Sequence, residues 1–77
     1  MRVKVYAPAF LNHDCLDAQG YLEVAEGARL RHALDALRVP LVLRPVLLCT
    51  LNYERVKLST PLKDGDVVSI IAPISGG

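Results

Sequence analysis

Pro61-Leu62-Lys63-Asp64-Gly65-Asp66-Val67-Val68-Ser69-Ile70-Ile71-Ala72-Pro73-Ile74-Ser75-Gly76-Gly77 is the stretch that decides the fold. Its Asp64-Gly65 step is a turn signal, and the apolar run that follows from Val67 has strand length. Two glycines come behind the strand. They have no side chain to bury, and ordering them costs more backbone entropy than any other residue. Such a pair suits a tail that enters a narrow channel and presents its last carbonyl carbon without steric shielding. The strand is expected to belong to the fold, and the glycines to chemistry outside it.

Working back from this strand, the apolar run Val46 to Leu51 is typical of a central strand buried on both faces. Asn52-Tyr53-Glu54 turns the chain, and Val56 and Leu58 offer a short edge strand. Leu30, Ala33, Leu34 and Leu37 recur at helical spacing, which predicts an amphipathic helix over Arg29 to Arg38. Pro40 is expected to stop it. The helix start lacks a Ser, Thr, Asp or Asn cap, and Arg29 and Arg31 oppose the dipole. Two readings fit that start: tertiary packing carries the helix, or its end receives an anion. Leu41-Val42-Leu43 either extends the third strand or closes the core beneath the helix.

At the other end, Arg2 to Ala7 alternates, with Val3, Val5 and Ala7 on one face and Arg2, Lys4 and Tyr6 on the other. This pattern predicts a half-buried strand, ended by Pro8. Phe10 to Gly20 is polar and irregular, and Tyr21 to Val24 reads as a second strand, paired with the first across a long connection. The order is strand, strand, helix, strand, short strand, strand. One helix across a mixed sheet of four to five strands is an α+β arrangement, and this order is that of the ubiquitin-like β-grasp.

Seventy-seven residues predict one domain over 1–77. The 52% apolar content is enough for a small core, since each fully buried Val, Leu or Ile contributes roughly 1.5–3 kcal/mol. Net charge is +1 and the nine basic residues are scattered, which argues against a nucleic-acid partner. The stretch Pro45 to Leu51 is too short to span a bilayer, so no membrane role is expected. Met1-Arg2-Val3-Lys4-Val5 does not read as a signal peptide. The expected compartment is therefore the cytoplasm, with Cys15 and Cys49 reduced.

His13-Asp14-Cys15 has the residue types of a nucleophilic site, but a triad is recognised by geometry rather than adjacency. A solvated loop is the expectation. Cys49, inside an apolar strand, is expected to be a small core hydrophobe. The two histidines lie far apart and no Cys pair has metal spacing, so no metal site is expected.

The closing block, with its Pro61-Leu62-Lys63-Asp64-Gly65-Asp66-Val67-Val68 turn and its Gly76-Gly77 end, resembles the MoaD/ThiS family of ubiquitin-like sulfur carriers. The Pro73-Ile74-Ser75 approach is most similar to the molybdopterin synthase small subunit. Softer support comes from Val24-Ala25-Glu26-Gly27-Ala28 before a Leu-rich helix. The chain departs from that subunit's usual pattern after its first strand, where Tyr6-Ala7-Pro8-Ala9-Phe10-Leu11-Asn12 stands. It departs again at Ile70-Ile71, where paired aromatics are common.

The resemblance implies a carrier with no catalytic side chains of its own and no bound cofactor. Gly77 would be adenylated by a ubiquitin-activating-type enzyme that uses ATP, and then converted to a thiocarboxylate. Ser75 and Gly76 would form the passage of a flexible tail of about residues 73–77. The sulfur would pass to the molybdopterin synthase large subunit or another sulfur-accepting enzyme, for molybdenum cofactor biosynthesis. A thiamine or other pathway carrier, a non-covalent ubiquitin-like interaction module, and a protein modifier joined to lysines are the alternatives. By strand parity Val68 and Ile70 point inward, while Val67, Ser69, Ile71 and Tyr6 face outward. Tyr6, Ile71, Pro73 and Ile74 would then form a partner-binding patch, against the alternative of scattered surface hydrophobes.

Overall fold

Alternation along the first and last strands builds the sheet. The computed structural model describes residues 1–72. The tail residues Pro73, Ile74, Ser75, Gly76 and Gly77, including the expectation of a flexible tail, lie outside them. Five strands form, β1 (Arg2–Tyr6), β2 (Tyr21–Glu23), β3 (Leu48–Leu51), β4 (Glu54–Arg55) and β5 (Val67–Ile71), with one α-helix, α1 (Leu30–Ala36). The sheet order is β2-β1-β5-β3-β4, with β1 and β5 parallel and the other pairs antiparallel. This mixed sheet with one helix is the expected β-grasp arrangement.

The register explains the core. Val5 lies beside Val68 and Cys49 beside Ile70, so their side chains share one face with Val3 and Leu22. Leu30, Ala33, Leu34 and Leu37 are fully buried in the same cluster. The helix stripe read from spacing is therefore the stripe that closes the core.

The helix itself is shorter than Arg29 to Arg38, and the reason lies in its ends. Its first N–H groups are met by a distant segment: Leu30 N–H donates to the Thr60 carbonyl and Arg31 N–H to Leu58, each at 2.9 Å. Arg29 N–H donates to His32 Nδ1 at 2.7 Å, and Arg29 Nη1 donates to the Ser59 carbonyl at 2.6 Å. Tertiary contacts and the His32 ring thus replace the missing cap, leaving those donors unavailable to an anion. At the other end Arg38 adopts φ +57°. Val39 N–H reaches back to the Leu34 carbonyl and Arg38 N–H to Asp35, both at 3.0 Å. This is a Schellman closure with arginine in the left-handed position, so the helix stops before Pro40 is reached.

Four further expectations are corrected. Strands β1 and β2 each end one residue early. Val46 belongs to a 3-10 turn, Arg44–Val46, so β3 starts at Leu48; it lies inside the sheet as expected, between β5 and β4. The edge strand is Glu54–Arg55, not Val56 and Leu58, because Asn52 and Tyr53 form a two-residue turn with φ +53° and +69°. Two positive φ values are what a tight hairpin requires. Leu41 and Val42 neither extend β3 nor close the core, since both are exposed in a turn, while Leu43 packs against the core cluster.

Asn52 also fastens the entry of β5. Its Oδ1 accepts from Val67 N–H at 2.9 Å, and its Nδ2 donates to Asp66 Oδ1 at 3.0 Å. Two roles, a tolerated left-handed backbone and a side-chain clasp, are separable by substitution. Asn52→Gly keeps the backbone and removes the clasp, which should cost about 1–2 kcal/mol. Asn52→Ala should cost about 1 kcal/mol more, because it adds left-handed strain. Urea unfolding of the two variants checks the order.

Candidate functional site

The face of the sheet opposite the helix is assembled from the other half of each alternating strand. Lys4 and Tyr6 of β1, Val67, Ser69 and Ile71 of β5, and Leu48 and Thr50 of β3 share it. The register sets Tyr6 beside Ser69, Ser69 beside Thr50, and Ile71 beside Leu48. Tyr6 and Ile71 are therefore diagonal neighbours on one face, the spacing at which large side chains across a sheet still reach each other. They are 53% and 49% exposed, and Leu48 is half-buried.

Because β1 and β5 are parallel, their last residues, Tyr6 and Ile71, lie toward the same rim of the sheet. The described chain leaves from that rim at Ala72. Pro73 and Ile74, expected at the edge of this patch, lie outside the described residues, as do Ser75, Gly76 and Gly77.

Cations flank the apolar strip on the β2–β1 side. The Lys4 ammonium stands 5.5 Å from the Tyr6 ring centre and 5.2 Å from that of Tyr21, and the Arg2 guanidinium lies 4.6 Å from the Tyr21 ring. Arg2 also pairs with Asp17, whose other carboxylate oxygen accepts from Gln19 and Tyr21 N–H groups at 2.9 Å. The Tyr21 N–H bond, helped by Arg2, holds the Asp17 carboxyl below its ordinary range. Asp35 is likewise lowered, by its 2.6 Å hydrogen bond from Arg44.

The other residues with chemical potential have structural partners. The His13 ring, through Nε2, donates to the Pro8 carbonyl at 2.8 Å, Asp14 N–H donates to Asn12 Oδ1, and the Cys15 thiol lies 3.6 Å from the Asn12 carbonyl. The His13 ring and the Cys15 thiol therefore lie against different backbone carbonyls, and no hydrogen bond joins the three side chains into a relay. Cys49 is buried in the core, and burial pushes its thiol up from the ordinary range. Among the described residues no group of three His, Cys, Asp or Glu side chains is placed to hold a metal ion. No helix among them is long and apolar enough to cross a membrane.

The sequence reading did not assign Leu48 and Thr50 to the outer face. Its reading of a strand buried on both faces holds from Cys49 to Leu51, Thr50 being buried on the outer face, while Leu48 is only half-buried. Pairing parity carried back from Leu51 distinguishes the two faces. It also missed Asn52, whose signal was only a short polar turn.

Both lowered carboxyls favour the charged form in the folded state. Their contribution is present above the ordinary Asp value of about 3.9 and is lost as pH falls through the folded-state values. The stability gap between the natural chain and Asp17→Asn should therefore shrink below about pH 4. Urea unfolding over an acid pH series measures it, and a gap independent of pH would contradict the assignment.

Three comparisons place this arrangement among known proteins. The ThiS family model matches residues 11–77. No curated protein matches the chain. Among solved structures, SAMP1 from Haloferax volcanii is similar with a TM-score of 0.69 at 21% identity, covering 100% of both chains. The second is a protein–protein complex of subunits 1 and 2 of the molybdopterin-converting factor from Helicobacter pylori 26695. Its matching chain gives a TM-score of 0.63 at 27% identity, again covering 100% of both chains.

Proposed function

The chain belongs to the ThiS family of ubiquitin-like sulfur carriers, and on that premise we propose that Gly77 carries sulfur as a thiocarboxylate for molybdopterin synthesis. The observation that carries this reading is the position of β5. It is the middle strand of the sheet, and it ends beside Tyr6 at the rim from which the chain continues toward Gly77. Residues beyond Ala72 thus follow directly on the strand that is paired on both sides in the middle of the sheet.

The chemistry follows from the carboxylate. With a pKa of about 3.3–3.7 it is ionised at neutral pH, and its shared charge makes the carbon a poor electrophile. Attack of a carboxylate oxygen on ATP, within an activating enzyme of the ubiquitin-activating type, gives an acyl adenylate and releases pyrophosphate. A sulfide-level sulfur donor then attacks the carbonyl carbon and AMP leaves, yielding the thiocarboxylate. In a second partner this sulfur attacks the acceptor, and water then cleaves the acyl–sulfur bond, which returns the Gly77 carboxylate and leaves the sulfur on the acceptor. Ser75 and Gly76 form the passage, and Tyr6, Ile71, Pro73 and Ile74 form the docking patch.

The likeness to the Helicobacter pylori complex supports molybdopterin as the destination and a large subunit as the acceptor. The family match itself equally supports a thiamine-type carrier. The two differ in which purified acceptor enzyme consumes the thiocarboxylate.

Intact mass after incubation with ATP, the activating enzyme and a sulfur donor should rise by the difference between one sulfur and one oxygen atom. An unchanged mass favours a non-covalent adaptor, and an ATP-dependent adduct on lysines favours a protein modifier. Gly76→Ala adds a Cβ at the narrowest part of the passage and restricts the backbone. It should abolish sulfur transfer while leaving the unfolding midpoint unchanged. Normal transfer by that variant would refute the role of Gly76.

Ile71→Glu places a charge in the middle of the docking patch. It should weaken affinity for the activating or accepting enzyme by at least about tenfold, as central interface substitutions do. Titration calorimetry with either partner measures this, and an unaltered affinity would show that the patch is not an interface.

A further inference from the structure

Leu41 and Val42 stand 75% and 81% exposed between Pro40 and Pro45, where folding gives them nothing to cover. Leu41 forms one lip of a groove of about 710 Å³ at the β3–β4 edge. The groove is large enough for several side chains, within the roughly 300–1,000 Å³ of ordinary ligand sites. Leu47, Leu48 and Cys49 lie along it, and the segment after β4 forms the opposite side.

Two further observations define what fits. The first is charge. Arg31, Arg55 and Lys57 line the groove, all three are exposed, and none forms an ion pair among the described residues. Arg44 also lines it, but its guanidinium is turned to Asp35 and to the Val39 carbonyl. No Asp or Glu is part of the lining.

The second is strand pairing. β4 covers only Thr50 and Leu51 of β3. The Leu48–Cys49 half of β3 has no strand on that side among the described residues.

We propose that this groove binds an extended segment of a partner protein in which apolar side chains are flanked by carboxylates. An extended backbone matches the uncovered half of β3, as in strand addition to a sheet edge. The apolar side chains cover Leu41 and the apolar lining. The flanking carboxylates meet Arg31, Arg55 and Lys57, which line an apolar groove and form no ion pair among the described residues. The site uses residues other than Tyr6 and the tail, so it does not depend on the sulfur-carrier reading.

The test is fluorescence anisotropy with the fluorescein-labelled peptide Asp-Glu-Ile-Val-Val-Leu-Asp-Glu and the full chain. Saturable binding that weakens with added salt is expected. The double variant Arg55→Glu/Lys57→Glu should weaken it by roughly tenfold or more, and Leu41→Asp should weaken it similarly. Lys63→Glu, a charge reversal outside the groove, should leave it within about twofold. All four positions are exposed, and an unchanged unfolding midpoint verifies each variant. If Leu41→Asp fails to fold, the double variant carries the test.

Absence of saturable binding overturns the proposal, as does unchanged affinity in the double variant. Equal affinity for a peptide with its apolar residues replaced by Ser also overturns it. Binding to phosphatidylserine vesicles, lost in the double variant and without any peptide binding, would overturn it in favour of a lipid surface.

Discussion

The parallel pairing of the first strand with the last is the contact on which the remaining structure depends. β1 and β5 are neighbours in the sheet although nearly the whole chain separates them. A parallel pair needs a crossover, and here the crossover contains every other element. Neither side of the core closes before β5 enters, because Val68 and Ile70 fill the gap between Val5 and Cys49. The entry is latched by hydrogen bonds between the start of the chain and the Asp64-Gly65-Asp66 turn. Arg2 N–H donates to Asp64 Oδ1 and Gly65 N–H to the Arg2 carbonyl, each at 2.8 Å, and Lys4 N–H reaches Asp66 at 2.9 Å. Gly65 sits at φ +86°, a conformation that a side chain at this turn would strain. Sequence separation of this size slows folding more than it lowers stability, since closure entropy grows only slowly with loop length.

What the sequence made legible was periodic. Alternation at Arg2 to Tyr6 and helical spacing at Leu30, Ala33, Leu34 and Leu37 each report a face, and a face is a local property of the chain. The boundaries that failed are set by partners far away in sequence. The start of α1 depends on the Leu58 and Thr60 carbonyls. Its end depends on Arg38 accepting a left-handed backbone, a role usually read from glycine. The β3–β4 turn is made by Asn52 and Tyr53 without a glycine, and the clasp of Asn52 to Asp66 and Val67 helps explain why the backbone holds there. Leu41 and Val42 were legible as apolar but not as exposed, because hydrophobicity alone does not say whether a neighbour exists to bury it.

The same division applies to the candidate site. Parity along β1 and β5 was enough to bring Tyr6 and Ile71 to one face, and the parallel register places them toward the same rim. Leu48 was hidden, since a run apolar at nearly every position carries no parity. A strand of that kind has to be read from its pairing rather than from its composition. The groove at the β3–β4 edge was invisible for a related reason: it exists because β4 is shorter than β3, and strand length is fixed by the Asn52-Tyr53 turn and the course of the chain after Arg55.

On the proposed reading, the chemistry of the carrier is supplied by its partners. Several of the side chains with suitable functional groups are occupied in holding the chain. Asp17 organises the approach to β2, Asp35 holds Arg44, His32 receives the Arg29 N–H, and Asp66 anchors Lys63 N–H and Asn52. Cys49 faces the core, and burial disfavours its thiolate, the form that reacts. Those polar side chains serve turns and strand entries rather than a reaction centre. On the proposed reading this is an advantage. In that reading the domain presents a last strand paired on both sides, and two enzymes with different chemistry would act in turn on the same terminal group.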